Sequence, residues 1–205
     1  EVKNNLTINA SNNKLNLSST GKSGRPLSAL KYEPNKKDGI KNVTINAKEL
    51  NILVDNQKGR AEGIRFGGQG SGLADQRAKM TINGDLNINA SGNGYCLGIY
   101  TASNNQLDIN GNVTMKGKDG SWGIDNHDTS MPNDAGHYSI SGIYAGSDYS
   151  LQRGSLININ GNVDLAVNGT GVLANGGFAT VNINGGGTIN IKKNEETAHY
   201  AIDAE

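Results

Sequence analysis

The densest set of chemistry-bearing side chains in this sequence lies at residues 125–137, DNHDTSMPNDAGH, which hold Asp125, His127, Asp128, Asp134 and His137. Oxygen-rich loops bind Ca²⁺, and His with Asp can hold a transition metal. The spacing here fits neither an EF-hand loop nor a zinc signature, and no Gly-rich calcium nonapeptide is present. The cluster therefore reads as a polar loop, with no metal and no cofactor implied. Trp122, Tyr138, Tyr144, Tyr149 and Arg153 stand in or beside it. Aromatic rings together with Arg are the composition of protein-binding hot spots and of sugar-stacking surfaces. The candidate binding residues are thus Trp122, His127, Asp128, His137, Tyr138, Tyr144, Tyr149 and Arg153. Residues 139–145, SISGIYA, also alternate well enough to form an inserted strand with Tyr138 and Tyr144 packed beside it.

No catalytic constellation accompanies this loop. Glycoside hydrolysis needs two carboxyls on the two sides of one bond, whereas Asp85, Asp108 and Asp164 occupy outward strand positions in different parts of the chain. The Gly-rich run at 67–78, GGQGSGLADQRA, lacks the Lys-Ser/Thr and the strand-to-helix change of a phosphate cradle. Cys96 is the single cysteine. Alternation back from Ile99 places Leu97 inward and Cys96 outward or at a bend, a partly accessible thiol without a catalytic partner.

The elements that must position these side chains come from a repeated phrase. LININGNVDLAVNGTGVLANG, at 156–176, alternates apolar and polar residues, breaks at Asn160–Gly161, resumes at Val163, and turns again at Asn168–Gly169. Period-two alternation marks a strand with one buried face, and Asn–Gly pairs mark bends because both residues tolerate left-handed backbone. Three short strands and two bends make one triangular coil. LTINA, VTINAKELNILV, MTINGDLNI, LDINGNVTM and VNINGGGTINI repeat the opening, with marker isoleucines Ile8, Ile45, Ile82, Ile109, Ile159 and Ile183. Subtraction gives intervals of 37, 37, 27, 50 and 24, the signature of a solenoid or array. A third step recurs as GIRF at Gly63, GIY at Gly98, GI at Gly123, GIYA at Gly142, GVLA at Gly171 and AIDA at Ala201. The expectation is one all-β domain over 1–205, a right-handed parallel β-helix of about six rungs with loop excursions.

In such a stack Asn9, Asn46, Asn83, Asn110, Asn160 and Asn184, each following its marker, superimpose and can hydrogen-bond as a ladder. The longest excursion, between Ile109 and Ile159, carries the candidate loop, and long loops on a regular scaffold tend to be functional. A second excursion at 21–39 surrounds a weak strand at Ala29–Leu30. Lys22, Arg25, Lys31, Lys36 and Lys37 make it basic, and it reads as a solvated loop, with an acidic glycan or surface as its alternative partner.

Composition agrees with the pattern. Hydrophobic residues are 35% and aromatics 5% of 205 residues, low for a globular core but suited to a coil only a few side chains across. Lys plus Arg and Asp plus Glu number 19 each, so there is no basic footprint for nucleic acid. No apolar run reaches membrane-spanning length, and no signal peptide is legible. The chain begins at Glu1, which reads as a processed or cut-down piece.

The TINGN-like units followed by GIYA-like steps resemble the passenger domains of Gram-negative autotransporters, the type V secreted adhesins. That resemblance covers most of the chain and is one of repeat style. It implies a right-handed β-helix displayed on the outer surface and non-enzymatic attachment to host cells, other bacteria or surfaces. Its partners would be a surface protein or glycan, with self-association possible. The rivals are a structural stalk within a larger surface protein and a carbohydrate-active enzyme or phage-type fibre. A pectin-type glycosidase would carry close Asp pairs and a Gly-His-Gly segment, and an autotransporter protease a Gly-Asp-Ser-Gly segment; these are missing from the sequence.

Overall fold

The computed structural model describes residues 5–34, 42–67, 77–117, 121–126, 140–148, 153–191 and 200–204. Those residues are all β, with no helix among them. The chain delivers its strands repeat by repeat. β1 (Leu6–Gly21) and β2 (Leu27–Tyr32) come first, then β3 (Val43–Asn56) with β4 (Ala61–Phe66), and β5 (Ala78–Gly92) with β6 (Cys96–Thr101). The fourth repeat is split into β7 (Asn105–Ile109), β8 (Val113–Met115), β9 (Ile124–Asn126), β10 (Ile140–Asp148) and β11 (Arg153–Gly154). Then follow β12 (Leu156–Ile159), β13 (Val163–Val167) and β14 (Thr170–Asn175), and β15 (Thr180–Ile183), β16 (Gly187–Ile191) and β17 (Ile202–Ala204).

Two parallel sheets result. A ten-stranded first sheet collects the first two steps of each repeat, and a seven-stranded second sheet runs β2–β4–β6–β10–β14–β17 with β11 beside β10. Among the described residues, antiparallel pairing is confined to β10–β11 and an isolated Lys116–Trp122 bridge, both in the fourth repeat.

The marker isoleucines set the register. Ile8, Ile45, Ile82, Ile109, Ile159 and Ile183 face one another strand to strand. The four inner ones are fully buried, each contributing about 1.5–3 kcal/mol by removal from water. Ile8 and Ile183 are only partly buried, because in a stack each repeat is covered by its neighbours alone. A second apolar column, Leu30, Ile64, Ile99, Ile143, Val172 and Ile202, runs through the other sheet.

Three sequence expectations need correction. The ladder asparagines do not take left-handed backbone; Ser103 (φ 61°) is the described non-glycine residue that does. The glycines beside them answer a different need, close approach between repeats. A Cβ on Gly111 would lie 2.2 Å from Gly84 O, and one on Gly161 2.3 Å from Gly111 O. Secondly, Gly123–Ile124 is not a third step, since Ile124 pairs in the first sheet with Ala90 and Val167. The fourth repeat's third step is GIYA at Gly142.

Thirdly, Cys96 is fully buried in the core and Leu97 faces the other way. Gly98 causes the inversion. A Cβ there would meet Gly142 O at 2.5 Å and Met115 Sδ at 2.7 Å, so a residue without a side chain sits against the first sheet. It breaks the alternation, bringing Cys96 and Ile99, three apart, to the same side. Burial pushes the Cys96 thiol up to about 12, so it is neutral and inert.

Candidate functional site

The outer faces of the two sheets differ. On the first sheet Asn46 Nδ2 donates to Asn9 Oδ1, Asn83 to Asn46, Asn110 to Asn83, Asn160 to Asn110 and Asn184 to Asn160, at 2.6–2.7 Å. A second ladder joins Asn87 to Asn51 and Asn51 to Asn16 at 2.9 Å. Asp85, Asp108 and Asp164 stand in three different columns, paired in register with Glu49, Thr81 and Thr114 respectively. Burial alone would raise Asp108, but hydrogen bonds from Lys79, Asn158 and Gln106 hold it below the ordinary carboxylate range.

The second sheet carries a furrow. Its floor is Ser28, Glu62 and Leu97, a register column that continues to the buried Ser141 and Thr170. One wall is the column Lys31, Arg65, Tyr100 and Tyr144. The other is Arg60 followed one repeat later by Tyr95, whose backbone carbonyls accept from Leu27 N and Ala61 N. Two cavities of about 460 Å³ and 520 Å³ share Arg60, Glu62 and Arg65 and together form this furrow.

Stacking along the repeats orders the walls. The Arg65 guanidinium lies 5.1 Å from the Tyr100 ring centre, and Tyr100 stacks on Tyr144 at 5.1 Å with 11° between planes. Arg60 sits 4.2 Å over Tyr95. Each wall thus sets a cation on a tyrosine face, a contact worth about 0.5–2 kcal/mol. The consequence for ligands is specific. β6 has Arg65 on one neighbouring strand and Tyr144 on the other, so both faces of Tyr100 are covered and ring edges line the furrow.

Arg65 ties the floor to the wall, with Nη1 donating to Glu62 Oε1 at 2.7 Å and Nε to Glu33 Oε1 at 3.0 Å. Ser28 Oγ donates to Glu62 Oε2 at 2.8 Å, and Lys31 Nζ meets Glu33 Oε2 at 3.0 Å. Glu62 is 2% exposed, and a carboxylate so buried stays only if paired. Burial alone would lower Arg65, but Glu62 and Glu33 raise it. Burial alone would raise Glu33, yet Lys31 and Arg65 hold it below the usual range. Burial raises Tyr100.

Asn56 anchors the cationic end. It is fully buried, its Nδ2 donates to Arg25 O and Arg60 O at 2.9 Å, and its Oδ1 accepts from Ser23 N at 3.1 Å.

With this geometry in view, the chain matches no family model, and neither a curated protein nor a solved structure matches it significantly. The site rests on its own residues.

Of the sequence-derived candidates, Tyr144 is in the furrow wall. Trp122 is half-buried and bridges to Lys116 on the first sheet, and Arg153 pairs in register with Asp148 in β11. His127, Asp128, His137, Tyr138 and Tyr149 lie outside the described residues. Among the described residues no group of three or more His, Cys, Asp or Glu side chains could hold a metal, and no helix is long and apolar enough to cross a membrane. Sequence reasoning missed Arg60, Glu62, Arg65, Tyr95 and Tyr100. The signal was there: Arg60 to Tyr95 and Arg65 to Tyr100 are both 35 apart, and aligning the third steps puts Lys31, Arg65, Tyr100 and Tyr144 in one position.

Proposed function

We propose that this chain is a segment of a Gram-negative bacterial cell-surface adhesin. It is a right-handed parallel β-helix of about six rungs that attaches its bearer to a surface protein or glycan without catalysing a reaction. The observation that carries this reading is the furrow on the second sheet, where two walls repeat the order cation then tyrosine over a polar floor. Arg and Tyr dominate recognition surfaces because they offer large, stiff contact areas with polar tips. Parallel register through successive repeats and the TINGN-like phrasing support the β-helical passenger.

The chemistry of the furrow argues against hydrolysis. A glycosidase needs one carboxylic acid kept protonated to donate to the leaving group. Glu33 is shifted the opposite way and both its oxygens are engaged. Glu62 accepts from Arg65 and Ser28 on its two oxygens.

The test is attachment of the purified chain, coupled to beads, to epithelial and bacterial cells. Arg60→Ala combined with Tyr144→Ala should lower attachment severalfold while the β circular dichroism signal stays. Unchanged attachment would transfer the lead to the stalk, a reading favoured by the self-satisfied Asn ladders of the first sheet.

A further inference from the structure

We infer that the furrow takes an anionic saccharide, its sulfate or carboxylate held by Arg60 and Arg25; this rests on the adhesion reading above. The argument begins with which groups are already used. The furrow holds two carboxylates, Glu33 and Glu62, and each of their four oxygens is engaged by Arg65, Lys31 or Ser28. A ligand rich in donors, such as an amine or a basic peptide, finds no uncommitted carboxylate oxygen there.

Donors are in surplus instead. Arg25 and Arg60 line the same cavity, both exposed, and among the described residues neither has a carboxylate partner. Tyr95 beneath Arg60 holds the guanidinium at 4.2 Å while leaving its rim of N–H groups to face outward. Asn56 fixes both arginines at the backbone, donating to the two carbonyls from one buried amide. With the backbone beneath both arginines fixed and the Arg60 guanidinium already held over Tyr95, less ordering remains to be done at Arg60 when an anion arrives, and guanidinium forks match sulfate and carboxylate oxygens.

The polymer class follows from the backbone. β4 is paired with β2 and β6, and β6 with β4 and β10. Along Glu62, Arg65, Leu97 and Tyr100 the furrow therefore offers no free strand edge on which an extended acidic peptide could add. Among the described residues β2 alone of the furrow's strands stands at an end of this sheet, and the poly-Glu arm of the experiment tests addition there. Recognition falls to side chains, namely guanidinium rims, tyrosine edges and the Leu97 surface, which suits a chain of hydroxyls and C–H faces carrying a negative group.

The experiment is isothermal titration of the 205-residue chain with a heparin hexasaccharide (sulfated), an oligogalacturonate (carboxylated), maltohexaose (neutral) and a poly-Glu peptide. Binding of at least one of the first two, weakened by added salt and reduced roughly tenfold or more by Arg25→Ala with Arg60→Ala, supports the inference. Which of the two binds identifies the anion. Among the described residues neither arginine makes a side-chain ion pair, so the double variant should fold; Asn110→Ala, on the other sheet, is the control and should bind as the parent does. Preference for maltohexaose, preference for poly-Glu, or no binding of the anionic sugars overturns it. Cell attachment separates the two claims. If the Arg60→Ala, Tyr144→Ala variant detaches while no anionic saccharide binds, adhesion stands and this inference falls.

Discussion

On the first sheet the residue after each marker isoleucine is Asn in every repeat, and these amides bond to one another. The outward column on the second sheet reads Lys31, Arg65, Tyr100, Tyr144, with the last two stacked and the first two bound to carboxylates. Identical residues one above the other are the natural way to saturate a parallel stack, because a donor and an acceptor recur at every layer. Abandoning identity gives up that saturation and leaves groups with capacity to spare. The difference separates a face that holds the repeats in register from the one we propose to bind.

The largest test of this contrast removes what sets the second face. Asn56→Ala would leave Arg25 O and Ser23 N without their buried partner and take one of two donors from Arg60 O, which keeps Leu27 N. We expect a loss of about 3 kcal/mol or more in denaturant unfolding, together with loss of saccharide binding. Stability and binding should fall together.

They should separate on the first sheet. Asn83 donates to Asn46 and accepts from Asn110. Asn83→Ala interrupts the ladder in mid-stack and should cost about 1–2 kcal/mol, while cell attachment at a temperature where the fold persists stays unchanged. Attachment lost with intact circular dichroism would make the Asn face a binding surface and erase the distinction.

Acid should act on both faces. Glu33 and Asp108, one on each, have folded values below their ordinary 4.5 and 3.8. A depressed carboxylate contributes stability that is present above its unfolded value and lost as pH falls through the lower folded one. The melting temperature should therefore drop on acidification below about the unfolded values. Lys79→Met removes the ion pair to Asp108 and should flatten part of that drop.

How far the sequence reveals this arrangement depends on periodicity. The marker column, the Asn ladder and the strand at Ala29–Leu30 are legible because alternation and Asn–Gly bends recur locally. Cys96 was misplaced because Gly98 adds a residue with no side chain, invisible to a period of two. Alkylation checks the corrected position. With its value raised from 9.0 to about 12, the folded thiol holds about a thousandfold less thiolate, so a thiol reagent should label it only on unfolding. The furrow was hidden for another reason. Its walls join residues 35 apart, which become neighbours only once repeats are aligned, whereas composition drew attention to one aromatic-rich loop, most of it outside the described residues.

The smallest expected effect has the opposite sign. Thr101, Ser141 and Thr170 bury hydroxyls that have no hydrogen-bond partner among the described residues, and all three lie on second-sheet strands β6, β10 and β14. A buried hydroxyl left unpaired costs about 1–3 kcal/mol. Val has nearly the shape of Thr and carries nothing to desolvate. Thr170 is fully buried and pairs in register with Ser141, outside the residues that line the furrow. Thr170→Val should thus raise stability by up to about 1 kcal/mol, seen as a higher denaturation midpoint with unchanged slope, and leave saccharide binding alone. A first-sheet change such as Asn110→Ala, which breaks ladder bonds, should lower the midpoint in the same assay. If Thr170→Val destabilises the chain to a similar extent, its hydroxyl is engaged in solution and the second sheet is as saturated as the first. The contrast between a holding face and a binding face would then rest on charge alone.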